Sequence, residues 1–275
     1  MKLLVLFGVQ ISVMLAADPS EIVRRAVELN ARDMQLANDY NYLQREETRE
    51  LDRAGKPRIR KDETWDVIPL DGSPYKRLVL RNGQPLSATE QQIEDQKLRA
   101  AAEARRKESP EQRGRRLEEW RHRQDRQRQP LRELPDAFKF TLLPDENLDG
   151  RPVYVIAAVP KPGYKPKSSY TAFFPKVKVR AWIDKADLEA KRIEIEATDT
   201  ISFGGFLLRL EKGSRILIEQ TRMDDQLWLP QRVSVVAEAR VMLLKNLNRE
   251  MEYNFSDYKK FQVDSRVVYL HPAGH

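Results

Sequence analysis

With 275 residues the chain is long enough for one large β domain or two modest ones. A 40% apolar content supports a core, whereas 33% charged residues and a mean hydropathy of -0.67 are polar for a compact domain. The net charge of +7 and pI near 9.4 permit nucleic acid or anionic lipid as partners without choosing between them, and the lack of cysteine excludes disulfides.

Met1-Lys2 gives a short positive start, and Leu3 to Leu15 is apolar except for Gly8, Gln10 and Ser12. Ala16-Ala17 then precedes the polar Asp18-Pro19-Ser20. That layout predicts a cleavable secretory signal over residues 1–17, too short for a comfortable membrane span. No cysteine follows it to carry a lipid, so the expectation is a soluble periplasmic protein without a lipid anchor.

From Pro19 to Leu36, Ile22, Val23, Ala26, Val27, Leu29 and Met34 recur at helical spacing, with Asp18 or Ser20 as N-cap. Tyr40 to Asp52, Arg58 to Pro69 and Tyr75 to Leu80 carry strand character, separated by turns at Ala54-Gly55-Lys56-Pro57 and Asp71-Gly72-Ser73-Pro74. Arg81-Asn82-Gly83-Gln84 ends the third strand, and its Asn-Gly is read as leading into a helix rather than a hairpin. Ser87-Ala88-Thr89-Glu90 is a capping box, behind which a charged helix runs to about Glu108. Pro110 restarts a second helix to about Gln129.

Apolar residues are too sparse in these two helices to hold a heptad, which argues against a coiled coil. Residues 90–135 hold 13 Lys/Arg against 10 Asp/Glu, and Arg113 to Arg132 holds 8 against 3. Interspersed acids and the signal point away from nucleic acid and toward a solvated charged surface.

Strands resume at Phe138 to Leu142 and Arg151 to Val159, the latter apolar on both faces and therefore expected to be central. Pro160 to Ser169, with three prolines and a glycine, reads as a mobile loop. Lys176 to Arg240 then reads as four or five antiparallel strands joined by polar turns, with no gap long enough for a crossover helix. Glu250 to Tyr258 and Lys259 to Tyr269 supply the closing strands, with Phe261, Val263, Val267 and Tyr269 as inward candidates.

Catalytic signatures are missing from the sequence. His122 lies in the charged stretch and His271 and His275 at the C-terminus, so no metal set or nucleophile triad assembles from them. No phosphate-loop motif occurs, and Gly204-Gly205 reads as a bulge or close packing. Asp184, Asp187, Asp224 and Asp225 fall in tight turns, where turn chemistry accounts for them. Neither enzyme activity nor a cofactor or metal is expected. The remaining feature is a long antiparallel sheet with an apolar face, over which the N-terminal helix can enclose a space. Whether side chains fill that space or lipid occupies it stays open at this point.

Val179-Arg180-Ala181-Trp182-Ile183-Asp184-Lys185, Ile193-Glu194, Leu208 to Ile218, Leu229-Pro230, Glu238-Ala239-Arg240 and Asp257-Tyr258-Lys259-Lys260-Phe261 together resemble the LolA/LolB superfamily of lipoprotein carriers, including uncharacterised exported bacterial members. The match covers roughly Phe138 to Val268, and Tyr40 to Leu80 more loosely. The resemblance implies an α+β fold: a curved antiparallel sheet, or half-barrel, with an N-terminal helix over its open face, enclosing a cavity for acyl chains and performing no catalysis. The charged helical insertion, Ser87 to Gln129, departs from the compact carriers.

The chain accordingly divides into a signal (1–17), the N-terminal helix and first strands (18–86), the charged insertion (87–135) and the main β meander (136–275). Pattern alone nominates Phe140, Trp182, Phe203, Phe206, Leu208, Leu210 and Trp228 as apolar cavity residues. The expected partner is a lipid or lipidated protein, with Arg113 to Arg132 available to an envelope protein or an anionic membrane surface. The alternative function is an envelope scaffold that docks a partner through the charged helices. Nothing in the pattern sets the oligomeric state.

Overall fold

The computed structural model describes residues 17–51, 56–203, 208–223, 227–241 and 245–260. The signal segment up to residue 16, Gly204-Gly205, Asp224-Asp225, Phe261 to Tyr269 and the two C-terminal histidines lie outside the described residues.

Helix α1 (Pro19–Leu36) begins as its sequence dictates. The Asp18 carboxylate accepts from the Ser20 N–H at 2.9 Å and Pro19 occupies the first turn, where its missing N–H costs nothing. Ile22, Val23 and Ala26 are buried, while Glu21, Arg24, Arg25 and Glu28 pair on the opposite side. Strands β1 (Tyr40–Leu51), β2 (Pro57–Leu70), β3 (Ser73–Arg81) and β4 (Gln84–Pro85) follow.

The Asn82-Gly83 turn corrects the sequence expectation. Both residues have positive φ, 52° and 71°, which is hairpin-turn geometry, and β4 pairs back on β3 before Ser87 caps the next helix. Asn-Gly therefore makes a short hairpin and then the helix.

Helices α2 (Ala88–Arg106) and α3 (Pro110–Ala137) both open with capping boxes, Ser87 with Glu90 and Ser109 with Gln112. They are fastened to the β2–β3 turn by arginines. Arg105 donates to the carbonyls of Leu70 and Ser73, and Arg116 to the Ser73 hydroxyl and the Asp71 carbonyl. Leu117 covers the same turn at Gly72.

Helix α3 runs eight residues past the expected stop at Gln129, through Pro130 and Pro135. An internal proline forfeits a helix hydrogen bond and costs roughly 3 kcal/mol. Burial of Leu131, Leu134 and Ala137 against the sheet offsets that cost, an effect no local rule anticipates.

The remaining strands are β5 (Phe138–Leu148), β6 (Arg151–Pro160), β7 (Val177–Asp184), β8 (Ala190–Ala197), β9 (Ile201–Phe203), β10 (Leu208–Leu210), β11 (Arg215–Arg222), β12 (Trp228–Val241) and β13 (Lys245–Lys260). All pairings are antiparallel, in the order β4-β3-β2-β1-β13-β12-β11-β8-β7-β6-β5, with β10 and β9 branching from β12. The chain is an α+β protein whose described residues form one open, curved antiparallel sheet with three α-helices.

Strand β6 is buried on both faces, yet it is not central: β5 alone stands between it and the sheet edge. Ile156 packs on α1, and Val153 and Val155 pack with Trp182 on the other side. The segment expected to be a mobile loop is tied down instead. The Tyr164 hydroxyl and the Lys167 N–H both donate to the buried Glu133 of α3, at 2.6 and 3.4 Å, and Phe173 and Phe174 pack edge-on beside Phe138.

Candidate functional site

Strand alternation sends Ile156 and Ala158 of β6, Val179, Ala181 and Ile183 of β7, Ile193 of β8 and Ile218 of β11 to one face of the sheet. Helix α1 lays Val23, Ala26, Val27, Asn30 and Met34 across that face, and the last turns of α3 add Leu131 and Leu134. Between them lies a cavity of about 400 Å³, completed by Phe138, Phe140, Trp228, Leu229, Tyr42, Phe255 and Tyr258. That volume falls within the range of roughly 300–1,000 Å³ in which small-molecule sites occur. Among the described residues that line it there is no Asp, Glu, Lys, Arg or His.

The cavity wall is held by polar contacts placed outside it. Asp33 of α1 is buried, and its carboxylate accepts the Trp228 backbone N–H at 2.8 Å, fixing the helix to β12. The Trp228 indole N–H donates to Asp187 at 3.2 Å, and the Arg151 guanidinium lies over the indole ring at 5.7 Å. Arg151 also bridges Asp184 and Asp187, and Arg222 bonds Asp187 at 2.9 Å.

Asp184 is a turn residue as well, accepting from the N–H groups of Ala186 and Asp187. Burial would raise its carboxyl, but Arg151 and those two N–H groups outweigh burial and hold it below its usual range. Turn and ion pair together occupy these aspartates structurally.

Glu189, between β7 and β8, has the opposite fate. It is 1% exposed, and among the described residues no donor group hydrogen-bonds either carboxyl oxygen. Burial first, and then the Asp33 carboxylate beside it, push it up to about 8 against the partial opposition of Arg32. Near neutrality its carboxyl is therefore held largely protonated, and it offers its proton to Asp33. Among the described residues no group of three or more His, Asp or Glu could hold a metal ion. Tyr42 and Tyr258 are both raised by burial, so their hydroxyls stay neutral. What the arrangement can do chemically is exclude water around an apolar ligand.

Of the residues nominated from pattern, Phe140 and Trp228 line the cavity. Trp182 lies on the other face of the sheet. There it packs with Val153, Val155, Leu143 and Leu148, donates its indole N–H to Glu146 at 2.8 Å, and carries Arg180 and Arg192 over its ring, each at 5.8 Å. Its register partner is Val155, and alternation sends both away from Ile156. Leu210 packs at the margin, against the cluster of Phe138, Phe174, Val177 and Ile201. Phe206 and the side chains of Phe203 and Leu208 lie outside the described residues.

Sequence reasoning missed Tyr42, Gln220, Phe255 and Tyr258, whose strands were recognised but not their facing. It also missed Leu131 and Leu134, hidden behind the charged composition of α3. The signal available for α1 was its apolar stripe, and that stripe does face the cavity.

No protein-family model matches the chain, and no curated protein matches it. Solved structures of similar layout include an outer membrane lipoprotein-sorting protein domain from Vibrio parahaemolyticus, at 13% identity and a TM-score of 0.31, covering 86% of this chain and 92% of that one. A LolA superfamily protein from Nitrosomonas europaea is similar at 11% identity and a TM-score of 0.31, covering 92% and 97%. A DUF1329 family protein from Desulfovibrio piger is similar at 12% identity and a TM-score of 0.30, covering 93% and 98%. Each of these likenesses extends over most of both chains.

Proposed function

We propose that this chain is a non-catalytic carrier of the cell envelope that holds acyl chains, free or attached to a protein, in the cavity between α1 and the sheet. The supporting observation is the cavity itself: about 400 Å³, lined mostly by aliphatic and aromatic side chains and, among the described residues, by no charged one. Transfer of a methylene from water into such a space is worth about 0.8 kcal/mol. A medium-length chain therefore supplies enough free energy for tight capture. The signal-like first residues support a periplasmic carrier in this reading.

Native mass spectrometry of the protein purified from its own exported compartment, followed by organic extraction, tests the proposal. The expected result is a stoichiometric mass excess that extracts as acyl lipid. A bare polypeptide mass, with no uptake of an added apolar fluorophore, refutes it.

A second reading rests on a separate observation. Arg113, Arg115, Arg121, Arg123, Arg126 and Arg132 of α3 are exposed, and no ion pair holds any of them among the described residues. Such a cluster of exposed guanidinium groups, spread around the helix, suits an anionic surface. Reversal of Arg121, Arg123 and Arg126 to Glu is expected to abolish sedimentation with vesicles containing phosphatidylglycerol and to leave cavity binding intact. Unchanged sedimentation, or none by the parent protein, removes this reading.

A further inference from the structure

Helix α3 carries many arginines, and one of them differs from the rest. Arg113, Arg115, Arg121, Arg123 and Arg126 are exposed, where water satisfies a guanidinium. Arg128 is 8% exposed, and among the described residues no carboxylate pairs with it. Its Nη2 donates to Gln124 Oε1 at 3.5 Å, the limit of a hydrogen bond. Nε meets no acceptor and is sealed from solvent, whereas Nη1, also without an acceptor among the described residues, is not sealed. What is left over is a whole charge and not a single orphaned atom.

A buried cation without a counter-ion is costly, and a guanidinium does not escape by giving up its proton as a lysine does. The acids around it leave the charge unmet. Glu133, further along α3, is taken up by the Tyr164 hydroxyl and the Lys167 N–H. Asp125 and Asp39 are exposed, and neither pairs with an arginine among the described residues.

The position of Arg128 indicates which anion belongs there. Residues three and four apart share a helix face, so Gln124, Arg128 and Leu131 stand in one row on α3. At one end of the row Gln124 donates to the Asn38 side chain at 3.0 Å, directly after Ala37. At the other end Leu131 lines the apolar cavity, as do Ala37 and Met34. Arg128 does not itself line the cavity; its guanidinium lies at the seam of α1 and α3, beside residues that do. An acyl chain in the cavity with its head at this seam sets an anionic oxygen against Nη1, and such charge-assisted pairs are among the stronger hydrogen bonds.

We infer that the ligand of the cavity is an anionic amphiphile, whose chain lies against the apolar wall and whose carboxylate or phosphate head pairs with Arg128 where α1 meets α3. This inference rests on the acyl-binding reading above and adds the head to it.

Displacement of the neutral fluorophore N-phenylnaphthylamine from the full chain tests it, with decanoate, decyl phosphate and decanol as competitors near pH 8, where the carboxyl is ionised. Decanoate or decyl phosphate is expected to compete at least about tenfold better than decanol, and whichever leads identifies the head. Arg128→Gln should erase that lead and leave decanol unchanged, while Arg126→Gln, an exposed neighbour, should leave the ranking intact. Thermal unfolding checks that each variant folds, and if Arg128→Gln does not, Arg128→Lys, expected to keep part of the lead, and the parent ranking decide.

Equal competition by all three, or a lead that survives in Arg128→Gln, overturns the inference and leaves an acyl cavity in place. So does inorganic phosphate that raises the parent's unfolding midpoint as much as decyl phosphate does, since the site would then hold a free anion unconnected with the cavity. Failure of the fluorophore and of every competitor to bind overturns the cavity reading itself, and this inference with it.

Discussion

Replacing Glu189 with Gln is expected to make the protein more stable in mild alkali, and the reason lies in one buried carboxyl. In the folded chain Glu189 is raised from 4.5 to about 8, by burial first and then by the Asp33 carboxylate, with Asp187 adding to the rise and Arg32 opposing it. A glutamate in the unfolded chain releases its proton near the ordinary value. Between those two values the folded state holds a proton that the unfolded state has lost, so stability falls as pH rises. It is fully present below about 4.5 and lost by the time pH passes about 8.

The slope reaches about 1.4 kcal/mol per pH unit. Across the 3.5 units from 4.5 to about 8 the loss approaches about 5 kcal/mol as an upper figure. Glutamine keeps the shape, carries no proton to lose and can donate its N–H to Asp33. Urea unfolding followed by circular dichroism at about pH 5, 7 and 9 gives the comparison, and other titrating groups cancel in the difference between the two proteins. Parent and Glu189→Gln should match near pH 5, and the variant should lead by a few kcal/mol near pH 9. A difference that does not change with pH refutes the buried-proton account.

Three further outcomes follow from the geometry. Ala181→Phe projects a ring into the cavity from the middle of β7 and should cut apolar fluorophore uptake at least about tenfold at little cost to folding, because the ring fills existing space; undiminished uptake would place the fluorophore elsewhere. Gly72→Ala should lose about 1–2 kcal/mol in urea unfolding, since φ is 83° there and a new Cβ would stand 3.1 Å from Leu117 Cδ2; an unchanged midpoint would contradict the close approach of α3 to the β2–β3 turn.

Glu133 is held below the usual glutamate range: burial opposes this, but the hydrogen bonds from Tyr164, Thr171 and the Lys167 N–H prevail. The loop it anchors is therefore secure above the ordinary glutamate value and loosens as pH falls through the lowered one. Glu133→Ala should speed amide exchange across residues 161–173 at neutral pH, and exchange as slow as in the parent would show that the aromatic packing alone holds the loop.

Sequence by itself determined the parts whose cause is local. The caps at Asp18, Ser87 and Ser109 start their helices because side-chain oxygens beside the first turn meet N–H groups that nothing else could satisfy. Period-2 alternation from Val177 to Ala197 wrote out β7 and β8, and the short polar turn between them made that pair antiparallel. The apolar stripe of α1 announced that the helix would cover something. Phe140 and Trp228 could be nominated for the same reason, being large apolar side chains on recognisable strands.

Tertiary structure decided what no window of neighbouring residues contains. The pairing of β1 with β13 joins Tyr40 to Lys260 and closes the sheet order; a strand's pattern states its period but not its partner. Trp182 faces away from the cavity because register placed it opposite Val155, a choice alternation leaves open until one face meets a helix. The end of α3 survived two prolines only because Leu131 and Leu134 had a sheet to bury against. The cavity itself became visible only once helix and strands far apart in sequence enclosed one volume, since burial belongs to the assembled space and not to the chain.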